Sequence, residues 1–161
     1  MVIRDIKDCD IIEILEIYNY YIENTTITFE EQLLSLDEFS NRVHNIQSHF
    51  PYIVALENNK VLGYAYLDYY STRSAYRISA DLSIYVDKNE KHKSIGKALL
   101  DNITDKAKEI GLKNIISIVT SENINSLNFH LKNGFVECGK IDNCAIKFNR
   151  LLGITILKKA I

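Results

Sequence analysis

One helical segment, Ser94 or Ile95 to about Ile110, stands between an alternating apolar run at Arg77 to Val86 and a β-branched run at Asn114 to Thr120. Two strands joined through a helix read as parallel neighbours, because a parallel pair needs a long crossover and an antiparallel pair does not. On either side of this unit the extended runs follow one another closely and read as antiparallel hairpins. The expected product is a mixed sheet flanked by helices. The helix should bury Ile95, Ala98, Leu99, Ile103, Ala107 and Ile110, with Gly111 ending it in the left-handed conformation.

The remaining elements follow from the same periodicities. Val2 to Ile6 reads as a strand. Asp8 is placed to cap a helix with apolar residues at Ile11, Ile12, Leu15, Ile17, Tyr18, Tyr21 and Ile22, ending near Glu23. Asn24 to Phe29 reads as an ordered loop. Ser35 and Glu38 form a capping box for a second helix to about Ser48, and the only proline, Pro51, closes that connection. Tyr52 to Glu57 and Lys60 to Tyr70 flank Asn58-Asn59, a pair that tolerates the positive φ of a tight hairpin. Asn125 to Asn133 is expected to be a short helix closed by Gly134, and Phe135 to Ile141, Ala145 to Asn149 and Gly153 to Lys159 to be the last strands.

Composition narrows the function classes. At 161 residues the chain reads as one domain, 1–161, able to bury roughly two thirds of the surface its unfolded form exposes. A formal net charge of −2 argues against a nucleic-acid or anionic-membrane surface. The N-terminus reads as a strand start rather than a signal, and no apolar run approaches the about 18 residues of a membrane span. Three cysteines, Cys9, Cys138 and Cys144, and four histidines, His44, His49, His92 and His130, are scattered. No metal is expected, and reduced thiols in a cytoplasm are the simplest reading.

Lys91-His92-Lys93-Ser94-Ile95-Gly96-Lys97 joins the central strand to its helix. A small Ser/Gly turn lets consecutive N–H groups converge on an anion, and the helix N-terminus adds its dipole. The string lacks the spacing of the dinucleotide fingerprint and the Gly-Lys-Ser/Thr of an ATP-type loop. A small anionic ligand suits it, and a plain solvated turn is the alternative.

This loop resembles the R/Q-x-x-G-x-G/A motif of the GNAT superfamily of acyl-CoA-dependent N-acetyltransferases, and the order of elements is similar to a GNAT domain over essentially the whole chain. Further strings resemble its phosphinothricin N-acetyltransferase branch: Glu16-Ile17-Tyr18-Asn19, Asn24-Thr25-Thr26-Ile27-Thr28-Phe29, Ala75-Tyr76-Arg77, Ser83-Ile84-Tyr85-Val86, Ser121-Glu122-Asn123 with Ser126, His130 and Gly134-Phe135, and Lys147-Phe148. The resemblance implies an α/β (α+β) fold with a mostly antiparallel central sheet, two splayed parallel strands and about four helices. It also implies acetyl-CoA as donor, direct transfer in a ternary complex and a homodimer with the C-terminal strands near the partner. The acceptor would be the amino group of a small amino-acid-like compound of the phosphinothricin or methionine sulfoximine type, with a protein N-terminus or a polyamine as alternatives.

Residue by residue, the resemblance places the main chain of Ile84, Tyr85 and Val86 along the pantetheine arm. His92, Lys93, Ser94, Ile95, Gly96 and Lys97 fall around the pyrophosphate, and Asn123 and Ser126 beside the cofactor. Thr25, Thr26, Thr28 and Phe29 would line the acceptor pocket, with Arg73, Tyr76, Arg77 and Lys147 toward its anionic group. Asp81 stands where related enzymes carry a catalytic glutamate, and His130 where many carry a tyrosine. Asp81 would take the ammonium proton, His130 would donate to or orient the departing sulfur, and a backbone N–H near Ile84 or Tyr85 would meet the carbonyl oxygen. An aspartate with a pKa of about 3.9 is a poor base unless burial raises it.

The chain departs from the pattern at Ser94 for glycine, Lys91 for Arg or Gln, Leu151 for tryptophan and Leu82 for a polar residue. Plainer readings stand beside these. Asp81 would serve as a buried partner for Arg77 or Arg73, His130 as a satisfied core histidine, Asn123 as a helix cap and the threonines as a packed loop. Asp81 and Ser94 would also suit an acyl-CoA-binding module without turnover.

Overall fold

The computed structural model describes residues 1–90 and 94–161. Seven strands form one sheet in the order β1-β2-β3-β4-β5-β7-β6: β1 (Val2–Asp5), β2 (Tyr52–Glu57), β3 (Lys60–Tyr69), β4 (Ser79–Val86), β5 (Asn114–Thr120), β6 (Val136–Lys147) and β7 (Arg150–Ala160). Four helices flank it, α1 (Ile11–Asn24), α2 (Leu36–Gln47), α3 (Ser94–Glu109) and α4 (Ile124–Lys132). Among the described residues only β4 and β5 pair parallel, so the mixed, mostly antiparallel sheet expected from sequence is present.

Two cores cover its faces. On one, α3 buries Ile95, Leu99, Leu100, Ile103 and Ala107 against Ile53, Ala65, Leu67, Leu82 and Ile115. On the other, α1 and α2 pack Ile14, Ile17, Phe39 and Val43 over Tyr52, Val54 and Tyr64. That second face is rich in tyrosine, with Tyr52 on Tyr66 at 4.9 Å and Tyr64 on Tyr85 at 5.4 Å between ring centroids. Burial holds the Tyr52, Tyr64 and Tyr85 hydroxyls well above their ordinary pKa, so the layer is uncharged.

Several local signals act as read. Ser35 accepts from the Glu38 N–H while Glu38 reaches back to the Ser35 N–H, closing the capping box of α2. Asn58 and Asn59 turn the β2–β3 hairpin at φ of 50° and 64°. Gly111 and Gly134 follow α3 and α4 at φ of 85° and 87°, where a Cβ would be strained.

Other expectations are corrected. Asp8 opens a 3-10 turn (Asp8–Asp10) instead of capping α1, and its carboxylate meets His44 Nε2 at 2.9 Å. Asp10 stands before α1, but its carboxylate is held by Arg4 at 2.7 and 2.9 Å. Ile110 lies past the end of α3 and is exposed; Leu112 turns inward in its place. β4 begins at Ser79, because Ser74–Tyr76 coils into a 3-10 turn. The two runs at 135–141 and 145–149 join into the single edge strand β6, with an irregularity between Ile141 and Ala145 where Asn143 takes φ of 52°. An edge strand absorbs such a bulge because one side of it carries no ladder.

Candidate active site

The parallel pairing of β4 with β5 covers only three positions, Ser79↔Asn114, Ala80↔Ile115 and Asp81↔Ile116. Beyond Asp81, β4 stays paired with β3 as far as Val86↔Gly63, while β5 stays paired with β7 as far as Thr120↔Ile154. The sheet therefore opens between Asp81 and the ends of both strands.

The register identifies the groups that face this opening. Asp87 N–H donates to Leu62 O at 2.8 Å, so Val86 and Gly63 are a non-hydrogen-bonded pair. By alternation Asp81, Ser83 and Tyr85 exchange their main-chain bonds with β3, whereas Leu82, Ile84 and Val86 turn theirs toward β5. Of the three expected main-chain contacts, Ile84 and Val86 thus face the opening and Tyr85 does not. Tyr85 packs its ring against Tyr18 and Tyr64 instead. Leu82, assigned no such role from sequence, adds its carbonyl; its N–H is still taken up by Ile116 in the last parallel pair, Asp81↔Ile116. The Val86 carbonyl already accepts from the Tyr21 hydroxyl at 2.5 Å. β3 comes close at this point because residue 63 is glycine: a Cβ there would meet Tyr85 O at 2.7 Å and Val86 Cα at 3.1 Å.

One face of the opening is straddled by the end of α1 and the loop after it. Tyr21 reaches the end of β4, and the Thr120 hydroxyl at the end of β5 donates to Thr26 O at 2.6 Å. Thr25 bonds back to Tyr21 O, and Thr26 donates to Glu122 at 2.5 Å. Arg150 clamps Glu122 with two bonds of 3.0 Å, and with Thr26 it holds that carboxyl down to about 2. Thr28 is buried and meets the Tyr18 hydroxyl at 3.0 Å. Tyr18 also donates to Glu30, which Arg42 pairs at 2.6 Å. Phe29 is half-buried in the same loop. Lys147 does not point an open charge at a ligand: its side chain is 1% exposed and its Nζ donates to Thr28 O at 2.9 Å. Burial lowers its pKa, against the pull of Glu31 and Glu30. Sequence reasoning missed Tyr21, Glu30 and Arg42, since nothing local marks a side chain that bridges separate elements.

The other face carries the N-termini of α3 and α4. Phe129 lies over Gly96, where a Cβ would meet its ring at 3.6 Å. Ser94 is exposed at the first turn of α3, and Ile95 is buried, so any contact it makes there is through its main chain. Lys97 is drawn onto its own helix by Asp101 at 2.5 and 2.6 Å. His92 and Lys93 lie outside the described residues. Asn123 caps α4, its Oδ1 accepting from Ser126 N–H at 3.2 Å.

His130 is buried on α4 between Phe129 and Phe135. Its Nδ1 is 2.7 Å from Ser126 O. A carbonyl only accepts, so Nδ1 carries the proton. Burial lowers this imidazole's pKa, against the pull of the Ser126 carbonyl, and in the neutral ring Nε2 is left as an acceptor.

Asp81 stands at the apex, where the strands part. Its Oδ1 is buried without a hydrogen-bond partner. Burial first and the Asp68 carboxylate second raise its pKa to about 7, against the Leu82 N–H. Neither Arg73 nor Arg77 pairs with it among the described residues. Both lie exposed with Tyr76 on the β3–β4 connection, Arg77 bonding Ser74 O at 3.2 Å and Tyr76 against Tyr70. An open strand edge suited to an extended chain, two helix N-termini and a buried, poorly solvated carboxyl can hold an acyl-carrying arm and accept a proton beside it.

The family model described as an acetyltransferase (GNAT) domain matches residues 3–154. The chain belongs to the GNAT acetyltransferase family. Among GNAT proteins it is 30% identical to the phosphinothricin N-acetyltransferase of Alcaligenes faecalis, over 98% of this chain and 81% of that one. A phosphinothricin acetyltransferase from Sinorhizobium meliloti in complex with AcCoA superposes with a TM-score of 0.95 at 30% identity, covering 99% of this chain and 88% of the other. A ribosomal-protein-alanine N-acetyltransferase from Brucella melitensis superposes at 0.96 and 30% identity, with both chains fully covered. GNAT membership makes the protein an acyltransferase with acetyl-CoA as its donor.

Proposed function

We propose that this protein transfers an acetyl group from acetyl-CoA to the amino group of a small amino-acid-like compound, directly within a ternary complex. The observation that carries this reading is the buried, unpartnered Oδ1 of Asp81 at the apex of the opening between β4 and β5. Bound acetyl-CoA would supply a thioester whose C–S bond breaks as the N–C bond to the amine forms, the attacking nitrogen's second proton leaving with the sulfur. The chain's own groups do the rest. The Leu82 carbonyl and the Ile84 and Val86 N–H groups line the open edge of β4, and the Ile84 N–H is placed to meet a carbonyl oxygen that gains charge. Ser94 to Gly96 open α3 toward the phosphates, with His92 and Lys93 as further candidates.

Asp81 takes the ammonium proton. With a pKa near 7 it is a far better match for an amine than an ordinary aspartate. His130 orients rather than donates, because the proton it holds is already directed to Ser126 O. Asn123 and Ser126 fix the N-terminus of α4 beside it.

Arg73, Tyr76 and Arg77 are the groups for the acceptor's carboxylate or phosphinate, since they lie exposed just before the strand that carries Asp81. Thr25, Thr26, Thr28 and Phe29 wall the pocket, and Lys147 serves by holding that wall. The setting is cytoplasmic. A homodimer through β6 and β7 is supported by Val136, Ile146 and Leu151, each about 60% exposed on this edge hairpin. Phosphinothricin and methionine sulfoximine are the acceptors we favour, and the likeness to the Brucella structure favours a protein N-terminus as the second reading.

Thiol release from acetyl-CoA, followed with a colorimetric thiol reagent, tests the assignment. The panel holds phosphinothricin, methionine sulfoximine, spermidine and a peptide beginning with alanine. Release that depends on one of the two amino-acid analogues is expected. Release with the peptide alone moves the assignment to protein N-termini. Thermal stabilisation by the cofactor with no acceptor-dependent release identifies a binding module and contradicts the proposal.

A further inference from the structure

We infer that Asp68 is a positioning residue that governs the protonation of Asp81 from the neighbouring strand, the two carboxyls acting as one unit at the apex of the opening. The inference rests on the reading of Asp81 as the base.

Asp68 and Asp81 are direct partners across β3 and β4. Counting from the non-hydrogen-bonded pair Gly63↔Val86, they fall at a hydrogen-bonded pair, with Cα atoms about 5.5 Å apart and both side chains on one face. That face also carries Tyr66↔Ser83 and Tyr64↔Tyr85, so it is the one covered by α1 and α2. Like charges placed directly opposite one another destabilise a sheet, and here no basic side chain among the described residues forms an ion pair with either carboxyl. Asp68 Oδ1 accepts from Tyr69 N–H at 2.7 Å, whereas Asp81 Oδ1 is buried and takes nothing. The pair is thus asymmetric: one carboxyl is anchored, and the other has an oxygen left for a proton.

The charged and titratable surroundings are few. Tyr66 on β3 feels both carboxyls and Glu30, and it stays neutral through burial. Glu30 is matched by Arg42 from α2 and bonded by Tyr18 from α1. The facing residue of β5 is Ile116, and the next on that row, Lys158 of β7, is exposed, about 10 Å from β4 by strand spacing. Apart from the Leu82 N–H, no group among the described residues on this face opposes the field of Asp68 at Asp81. In the reaction the N–H bond of the ammonium breaks, an O–H bond to Asp81 forms, and the freed electron pair attacks; the proton later passes to water. A negative neighbour makes that O–H bond easier to form. In this chain an aspartate stands where the family's glutamate is expected, and Asp68 supplies basicity that the residue type lacks.

Asp68→Asn tests this with little change in volume, and Asp68→Ser serves identically if the asparagine variant does not fold. Two readouts are needed: the acid limb of the kcat/KM profile, and the titration of the carbon-13-labelled Asp81 carboxyl in the resting protein. Both are expected to move down by about one pH unit. kcat should fall several-fold while KM for acetyl-CoA holds, and Asp68→Glu should restore the wild-type limb. A limb and a carboxyl titration that stay in place in Asp68→Asn overturn the inference. Asp81→Asn separates the two claims: if that variant turns over like wild type, the base reading fails, and the carboxyl titration alone still decides whether Asp68 controls Asp81.

Discussion

Asp81 is a residue whose environment works against the fold and in favour of the chemistry. An acid whose pKa rises to about 7 on folding holds its proton between pH 4 and 7 while the unfolded chain gives it up. Its contribution is therefore complete below about pH 4 and is lost as pH rises through 7. Asp81→Asn should remove that loss. At pH 8 we expect the variant to be more stable by roughly 2–4 kcal/mol, the upper end being the full shift, with kcat lower by about 10²–10⁴-fold. Denaturant melts at pH 5 and pH 8, beside turnover, check this; a variant less stable at pH 8 would contradict it. The sequence marks Asp81 only by its place before Ser83-Ile84-Tyr85-Val86. Its tuning partner Asp68 was not legible, because the nine residues between β3 and β4 leave the cross-strand register undetermined until the structure sets it.

At the scale of elements, the loop between α1 and α2 is a wall held by distant bonds, and the farthest along the chain is from Lys147. Lys147 comes from β6, far along the chain, and donates to Thr28 O from a buried position. Lys147→Met keeps the apolar stem and removes the donor. KM for the acceptor should rise about tenfold, the equivalent of one charge-assisted bond, with KM for acetyl-CoA unchanged; equal change in both would place Lys147 elsewhere in the mechanism. From sequence this lysine read as a partner for the substrate's anion, since burial of a C-terminal strand position is invisible in a string of residue types. The close approach at Gly63 makes a second prediction. Gly63→Ala forces its Cβ against Tyr85 O and Val86 Cα, so stability should drop by about 1–3 kcal/mol and acetyl-CoA should bind more weakly. A melt and a calorimetric titration read both; unchanged values would mean that β4 yields without consequence.

For the molecule as a whole, the helices and the hairpin turns were legible wherever a local device fixed them. Ser35 with Glu38, Asn58-Asn59, Gly111 and Gly134 each determine backbone geometry by their own chemistry. Where position depended on distant partners, the local reading slipped. Ile110 continued the apolar period of α3, yet the helix had ended, and Asp142-Asn143-Cys144 looked like a break but is a bulge in an edge strand. The opening itself was expected only from family resemblance, since the loss of pairing after Asp81↔Ile116 is a property of two strands together.

Whether acetyl-CoA lies in that opening is tested most directly by amide hydrogen exchange with and without CoA. The Ile84 and Val86 amides should become slower by about tenfold or more on saturation, while those of Ser83 and Tyr85, already bonded to β3, change little. Protection that appears elsewhere on the protein, with Ile84 and Val86 exchanging as before, would contradict that placement.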